Sequence, residues 1–193
     1  MPIACKAYEQ RRLRLMAELV EGATVLDLGH AAMPNPYFRN VRTTGFDLQP
    51  SQDPEVRYDE EIVANAAEML RIFSGRTFDT VVAGEIIEHL ENPYQFLRDV
   101  RQVVRPGGQL VLSTPNPLGF PNVLCEILRI RRFYYDPEHT YYFLPRWLER
   151  IAEGSGFSVE KTTPVGLLLP GAVLPWCPVV MSYQLIYTLR RPI

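Results

Sequence analysis

Apolar positions recur at helical spacing over residues 7–20. Leu13, Met16, Leu19 and Val20 share one face, Arg11, Arg12 and Arg14 lie beside it, and Glu21-Gly22 ends the run. Residues 24–28 (Thr-Val-Leu-Asp-Leu) follow as a short apolar run closed by Gly29, which reads as a strand. Further strands are predicted over 43–47, 61–64, 78–83 and 109–114. The clearest helix lies between the last two. Asn92 can cap it, Pro93 suits its first turn, and Phe96, Leu97, Val100, Val103 and Val104 form its buried stripe. Arg105 sits near the negative end of its dipole and Pro106-Gly107-Gly108 terminates it. A third helix spans 145–153 with Trp147, Leu148 and Ile151 inward, and strands near 157–163 and 181–189 close the chain as an antiparallel pair.

Strand and helix patterns thus alternate, which predicts an α/β fold: a three-layer sandwich around a mostly parallel seven-stranded sheet with a final antiparallel strand. Residues 116–144 break the rhythm with prolines, aromatics and arginines, and read as a cap over the sheet within a single domain, 1–193. From Thr162 to Leu189 there is no charged residue. That run fits either a buried strand pair or a surface that touches a bilayer. Pro164, Pro170, Pro175 and Pro178 argue against a spanning helix.

Composition narrows the class. With 193 residues, 47% hydrophobic and 22% charged, the chain is neither disordered nor fibrous and can bury a core without staples. A net charge of −2 argues against a nucleic-acid partner, although 18 of the 20 basic residues are arginine and a local patch can hide in a neutral total. Cys5, Cys125 and Cys177 have no ligand spacing and read as free thiols in a reducing, cytoplasmic setting. No signal peptide is visible at the N-terminus. Oligomeric state is not legible.

Open parallel sheets bind ligands beyond the carboxyl ends of their strands. Those positions carry Asp27-Leu28-Gly29-His30, Asp47-Leu48, Asn65-Ala66-Ala67-Glu68, Gly84-Glu85-Ile86-Ile87-Glu88-His89 and Pro115-Asn116. Acidic or amide groups at consecutive strand ends suit a nucleoside, because carboxylates accept from ribose hydroxyls and an amide or carboxylate can read an adenine amine.

In this order and spacing the motifs resemble those of class I S-adenosylmethionine-dependent methyltransferases, of the small group that includes the ubiquinone-biosynthesis O-methyltransferases. Val25-Leu26-Asp27-Leu28-Gly29 is similar to the first cofactor motif and Gly45-Phe46-Asp47-Leu48 to the second. Asn65-Ala66 stands where the family has an Asp-Ala pair beside adenine. Residues 78–90 resemble the fourth-strand motif, and Val104-Arg105-Pro106-Gly107-Gly108 with Leu112-Ser113-Thr114-Pro115-Asn116 the approach to the fifth strand. The resemblance implies S-adenosylmethionine as cofactor, with Asp27, Gly29, His30, Asp47, Leu48, Asn65, Ala66, Gly84 and Glu85 around it. The chain departs from the family in its first loop. Gly29-His30-Ala31-Ala32 replaces the usual Gly-Cys-Gly, and residues 49–60 are short of the usual helix.

Glu85-x-x-Glu88-His89 places two carboxylates and an imidazole within one helical turn, a spacing that can hold Mg2+ or another divalent ion. It resembles the metal motif of small-RNA 2′-O-methyltransferases and of the ubiquinone-pathway enzymes. His139, after Pro137-Glu138, could close over the same pocket. Glu88, His89 and His139 are the candidate catalytic residues, the histidines as proton acceptors. The alternative is structural: Glu88 pairs locally and His89 packs. Tyr134, Tyr135, Tyr141, Tyr142 and Phe143 flank His139 as an acceptor wall or a lid seal, and Arg129, Arg131 and Arg132 either attract an acidic acceptor or form a solvated face. The expected reaction is methyl transfer to an oxygen, less readily a nitrogen, of a small-molecule, glycan or lipid-linked acceptor. The competing class is a non-catalytic module whose altered loop no longer holds cofactor. The first strand is followed by no Gly-x-Gly-x-x-Gly, which argues against a dehydrogenase.

Overall fold

The computed structural model describes residues 3–129, 139–169 and 172–193. Its strands are β1 (Thr24–Leu28), β2 (Arg42–Asp47), β3 (Glu60–Val63), β4 (Phe78–Gly84), β5 (Val104–Pro115), β6 (Ser158–Pro164), β7 (Leu167–Leu169), β8 (Ala172–Leu174) and β9 (Gln184–Arg190). Seven of them form one sheet in the order β3-β2-β1-β4-β5-β9-β6, while β7 and β8 make a separate hairpin. The first five are mutually parallel, and β9 lies antiparallel between β5 and β6. The expected α/β architecture is therefore present, with the antiparallel strand inserted next to last in space.

The helices are α1 (Ile3–Glu18), α2 (Met69–Ile72), α3 (Pro93–Val103), α4 (Phe120–Ile127) and α5 (Pro145–Gly154). The start of α3 follows from its sequence: Asn92 Oδ1 accepts from the Gln95 amide at 2.9 Å and Pro93 occupies the first turn. Phe96, Leu97, Val100 and Val103 then face the sheet. One core lies between the sheet and α2, α3 and α5, built on Leu26, Phe46, Val81, Leu97, Val100 and Leu148. The other lies beneath α1 and the hairpin, built on Tyr8, Met16, Val25, Val82, Leu168 and Ile186. Because the two faces of β1 and β4 feed different cores, these strands carry continuous apolar runs instead of alternation.

Two expectations need correction and two gain detail. Helix α3 stops at Val103 and β5 begins at once, because Val104 already pairs with Phe78. Pro106-Gly107-Gly108 therefore lies inside the strand as an irregularity. Gly107 takes a φ of 72°, and a Cβ on Gly108 would come within 2.7 Å of the Asp79 carbonyl. Trp147 is outward, beneath the Arg150 guanidinium, and α5 buries Leu148, Ile151 and Ala152 instead. Within 116–144 residues 120–127 are helical. The uncharged run divides: β9 is buried save its last residue, whereas Leu174, Trp176 and Val180 are exposed.

At the amino ends of the strands Asp79 ties the sheet together. Its Oδ2 accepts from the Ala23 and Thr24 amides and from Thr24 Oγ1, each at 2.9 Å, and Arg105 bonds Oδ1. Partial burial opposes its charge, but these donors hold its pKa down to about 2. At the opposite ends, residues 29–41 and 48–59 contain no helix, so loops rather than a helical layer cover β2 and β3 on the α1 side.

Candidate active site

The carboxyl ends of β1, β2, β4 and β5 converge beside α1. Gly29 leaves β1 with a φ of 77°, a left-handed conformation that favours glycine, and its amide bonds the Phe46 carbonyl at 3.1 Å. The loop beyond it is held by side chains. Asp47, half-buried at the end of β2, accepts from the Ala31 amide through Oδ2 at 2.8 Å and from the Gln49 amide through Oδ1 at 3.3 Å. Each oxygen keeps a second lone pair for a ligand. His30 turns inward over Gly45, where a Cβ would fall 2.8 Å from Nε2. That nitrogen donates to Glu61 Oε1 at 2.8 Å, and the ring packs edge-on against Tyr58. His30 is thus a loop support bonded to β3.

Asp27 is buried and accepts from the Tyr58 hydroxyl at 2.6 Å. Burial pushes its pKa up to about 6, opposed by the Tyr58 bond and by nearby His30 and Arg12. Arg12, Met33, Asn35, Gly29 and Gly84 close in around it, leaving only about 20 Å³ of space. A larger groove of about 800 Å³ opens on the outer side of Met33, between α1 and residues 32–36 and 52–53. On the far rim, Asn65 Oδ1 accepts from the Ala67 amide at 2.9 Å and starts a short 3-10 turn, Ala66–Glu68, while Leu48 projects into solvent.

After β4 the chain bends sharply. Glu85 has a φ of 54°, rare for a residue with a side chain, and only Ile87–His89 form a turn of 3-10 helix. The helical spacing expected to align Glu85 with Glu88 and His89 is therefore absent. Glu85 points at β5 and β9, accepting from Ser113 Oγ at 3.0 Å and from Gln184 Nε2 at 2.9 Å. It faces the buried Arg12, which bonds Ser113 Oγ at 3.0 Å and Glu9 at 2.7 Å. Burial drives the Glu85 carboxyl above its ordinary pKa while Arg12 pulls it back.

Glu88 points elsewhere and meets His89 and His139. One ligand atom from each of these three side chains lies within 4.8 Å of the others. The two imidazoles meet edge to face at 4.7 Å between centroids, and Tyr142 packs on His139 at 5.5 Å. Glu88 is fully buried, with Oε2 bonded to Thr114 Oγ1 at 3.1 Å and Oε1 left without a partner among the described residues. Burial and then the Glu85 charge push its pKa up to about 9. A buried carboxylate oxygen with no donor, beside two imidazoles, is a donor set that fits a divalent cation. The Glu88 carbonyl also accepts from the Thr140 and Tyr141 amides at 2.8 and 3.1 Å, which fixes His139 over the cluster.

Sequence reasoning thus named Glu88, His89 and His139, and the structure adds Arg12, Tyr58, Ser113 and Gln184. Arg12 carried a signal: it lies four residues from Tyr8 and from Met16, both buried. Arg131, Arg132, Tyr134, Tyr135, Pro137 and Glu138, together with Pro170, lie outside the described residues.

Comparison with known proteins gives this geometry a context. A methyltransferase-domain family profile matches residues 4–162. The human mitochondrial ubiquinone biosynthesis O-methyltransferase is 33% identical over 159 residues, 76% of this chain and 38% of that protein. The chain therefore spans well under half the length of that relative. Among solved structures, a SAM-dependent methyltransferase of Thermotoga maritima superposes with a TM-score of 0.68 at 15% identity, covering 97% of this chain and 90% of the other. The 1,6-didemethyltoxoflavin-N1-methyltransferase of Burkholderia thailandensis, solved with S-adenosylhomocysteine, gives 0.66 at 18% identity, covering 96% and 79%.

Proposed function

The chain belongs to the methyltransferase-domain family, and on that premise we propose that it transfers the methyl group of S-adenosylmethionine to an oxygen of a small-molecule, glycan or lipid-linked acceptor. The sulfonium makes the methyl electrophilic already, so the protein supplies alignment and takes a proton from the acceptor hydroxyl. In this reading Asp47 holds the ribose hydroxyls. Leu48, Asn65 and Ala66 line the adenine, and Asp27, Gly29 and Gly84 border the methionine end. His30 holds the loop from below, and Glu85 balances Arg12 at the back of the pocket. Residues 116–144 cover the acceptor side. Oxygen is favoured as acceptor atom by the names of the curated relatives, and the net charge of −2 favours a small acceptor over nucleic acid.

The observation that carries the reading is the cluster of Glu88, His89 and His139 at the carboxyl edge of the sheet. A divalent cation held there would polarise the acceptor hydroxyl and lower its pKa. Two imidazoles and one carboxylate suit Mn2+, Co2+ or Zn2+ better than Mg2+, which prefers oxygen ligands and water. The test pairs calorimetry with a transfer assay on catechol-type and glycan acceptors. Mn2+ should bind wild type and fail to bind His139→Ala, and chelation should abolish transfer until Mn2+ is restored. Transfer indifferent to chelator but lost in His89→Ala or His139→Ala assigns the proton to a histidine base instead.

A second reading rests on the crowding around Asp27: with about 20 Å³ free among Arg12, Met33 and Asn35, the chain is a binding module that takes no cofactor. Absence of S-adenosylmethionine binding by calorimetry, with and without Mn2+, would favour it.

A further inference from the structure

Two spaces lie on either side of the loop that follows β1. The inner one, about 20 Å³ among Asp27, Gly29, Gly84 and Arg12, has room for no more than about one water. The outer one is the groove of about 800 Å³ between α1 and residues 32–36 and 52–53. Two side chains, Leu13 and Met33, line both spaces and form the wall between them. The two differ in freedom. Leu13 is buried on α1. Met33 is half-buried and comes from the loop, whose backbone is tied on both sides of it. The Ala31 amide bonds Asp47, and the Ala31 carbonyl accepts from the Gln52 amide at 2.9 Å. Asn35 donates through Nδ2 to the Leu13 carbonyl at 2.9 Å and through its amide to the Tyr58 hydroxyl at 3.3 Å. With the backbone pinned, the Met33 side chain is the moving part. Its sulfur accepts from Arg12 Nη2 at 3.4 Å. A thioether is a weak acceptor, and an unbranched side chain with three rotatable bonds repacks without strain.

We propose that Met33 is a displaceable plug: the amino-acid end of S-adenosylmethionine takes the place of its thioether, and the Met33 side chain swings outward into the groove. The inference rests on the methyl-transfer reading, which sets that end of the cofactor beside Asp27, Gly29 and Gly84. The space of about 20 Å³ is too small for it while Met33 stays in place. Like then replaces like. The group that leaves is a methionine side chain, and the group that arrives is built on the same carbon–sulfur chain, so the vacated volume matches the volume required. The groove receives the displaced side chain among Ala7, Leu13, Pro34 and Pro36. The bond given up, from Arg12 to a sulfur, is a weak one. The crowding around Asp27 is in this account the closed form of a cofactor site and not its loss. It also follows that the plug competes with the cofactor, because apparent affinity falls with the fraction of molecules that are open.

Calorimetry with S-adenosylhomocysteine, which binds without reacting, tests this on the full chain and two variants. Met33→Leu keeps the volume of the plug and should bind within about twofold of wild type. Met33→Ala removes the plug and should bind about three- to tenfold more tightly. A side chain that merely touched the cofactor or supported the loop would give the opposite sign. Labelling the five methionines with 13C at the methyl supplies a second readout. Met33→Leu identifies the Met33 signal, which should move toward the position of a solvent-exposed methionine at saturation. The Met69 signal, from the core on the other face of the sheet, should stay. Met33→Ala binding no more tightly than wild type, or a Met33 signal unmoved at saturation, overturns the plug and leaves the methyl-transfer reading standing. Binding by Met33→Ala and not by wild type supports a plug that is shut in the free protein. No binding by any of the three chains overturns both the plug and the methyl-transfer reading.

Discussion

Two aspartates at neighbouring strand ends have opposite environments. Asp47 is half-buried and keeps acceptor capacity beyond its bonds to Ala31 and Gln49. Asp47→Ala should weaken S-adenosylmethionine binding by about 1.5–3 kcal/mol, the scale of hydrogen bonds to a charged group. Calorimetry showing wild-type affinity in the folded variant would remove Asp47 from the ribose. Asp27 is sealed under Tyr58, and burial raises its pKa to about 6. Its unfolded value is near 3.9. Between these values the folded chain holds more protons than the unfolded one, so the Asp27 contribution to stability is greatest at acid pH. It declines as pH rises from about 4 to 6, and stays lower above. The total decline is roughly 2–3 kcal/mol. Asp27→Asn keeps an acceptor for Tyr58 and cannot ionise. Urea denaturation from pH 4 to 7 should therefore show the variant gaining on wild type as pH rises. A constant difference would assign the titration elsewhere. Neither environment could be read in the sequence, because both residues simply end an apolar strand. What separates them is Tyr58, thirty-one positions beyond Asp27.

At the level of elements, legibility followed local chemistry. The start of α3 was written in Asn92 and Pro93, and its buried stripe in four apolar residues at helical spacing. The start of β5 was not, because Pro106-Gly107-Gly108 has the composition of a terminator, and only pairing of Val104 with Phe78 reveals a strand. The carboxylate–histidine cluster was half legible. Glu88 and His89 are adjacent in sequence, and His139 reaches them through the Glu88 carbonyl bonds to Thr140 and Tyr141. That Glu85 turns away from Glu88, toward β5 and β9, is not legible, because a left-handed φ at a non-glycine leaves no sequence signal. The third group, His139, comes from the segment 116–144 that the proposed function sets over the acceptor. Replacing residues 120–136 with a short Gly-Ser linker should leave S-adenosylmethionine affinity within about twofold and lower methyl transfer at least about a hundredfold, since alignment of the acceptor is lost. Loss of cofactor affinity in a folded variant would assign the segment to the cofactor instead.

Across the whole molecule, one buried charge joins the beginning, middle and end of the chain. Arg12 on α1 bonds Ser113 on β5 and fills the space over Gly84, where a Cβ would lie 2.7 Å from Nη1. Glu85 shares Ser113 with it and accepts from Gln184 on β9, and Gln184 in turn bonds Glu9 on α1. An arginine beside an apolar stripe reads as solvent-facing, which is why the sequence pattern set Arg12 next to the buried face rather than in it. Its burial is tolerable only because Glu9 and Glu85 balance it, and the same balance keeps Glu85 from being a lone interior carboxylate. Arg12→Met alone should cost about 3–5 kcal/mol, because Glu85 then loses its cation while remaining buried. Adding Glu85→Gln removes the stranded charge, keeps an acceptor for Gln184, and turns an amide N–H toward the Ser113 oxygen that Arg12 no longer occupies. The double variant should therefore be more stable than Arg12→Met, and the two losses should fall short of additivity by about 1–3 kcal/mol. Urea unfolding of the four proteins measures this coupling. Strictly additive losses would mean that Arg12 and Glu85 do not act on each other, and that α1 is held by its packing on the sheet and the hairpin without help from that charge pair.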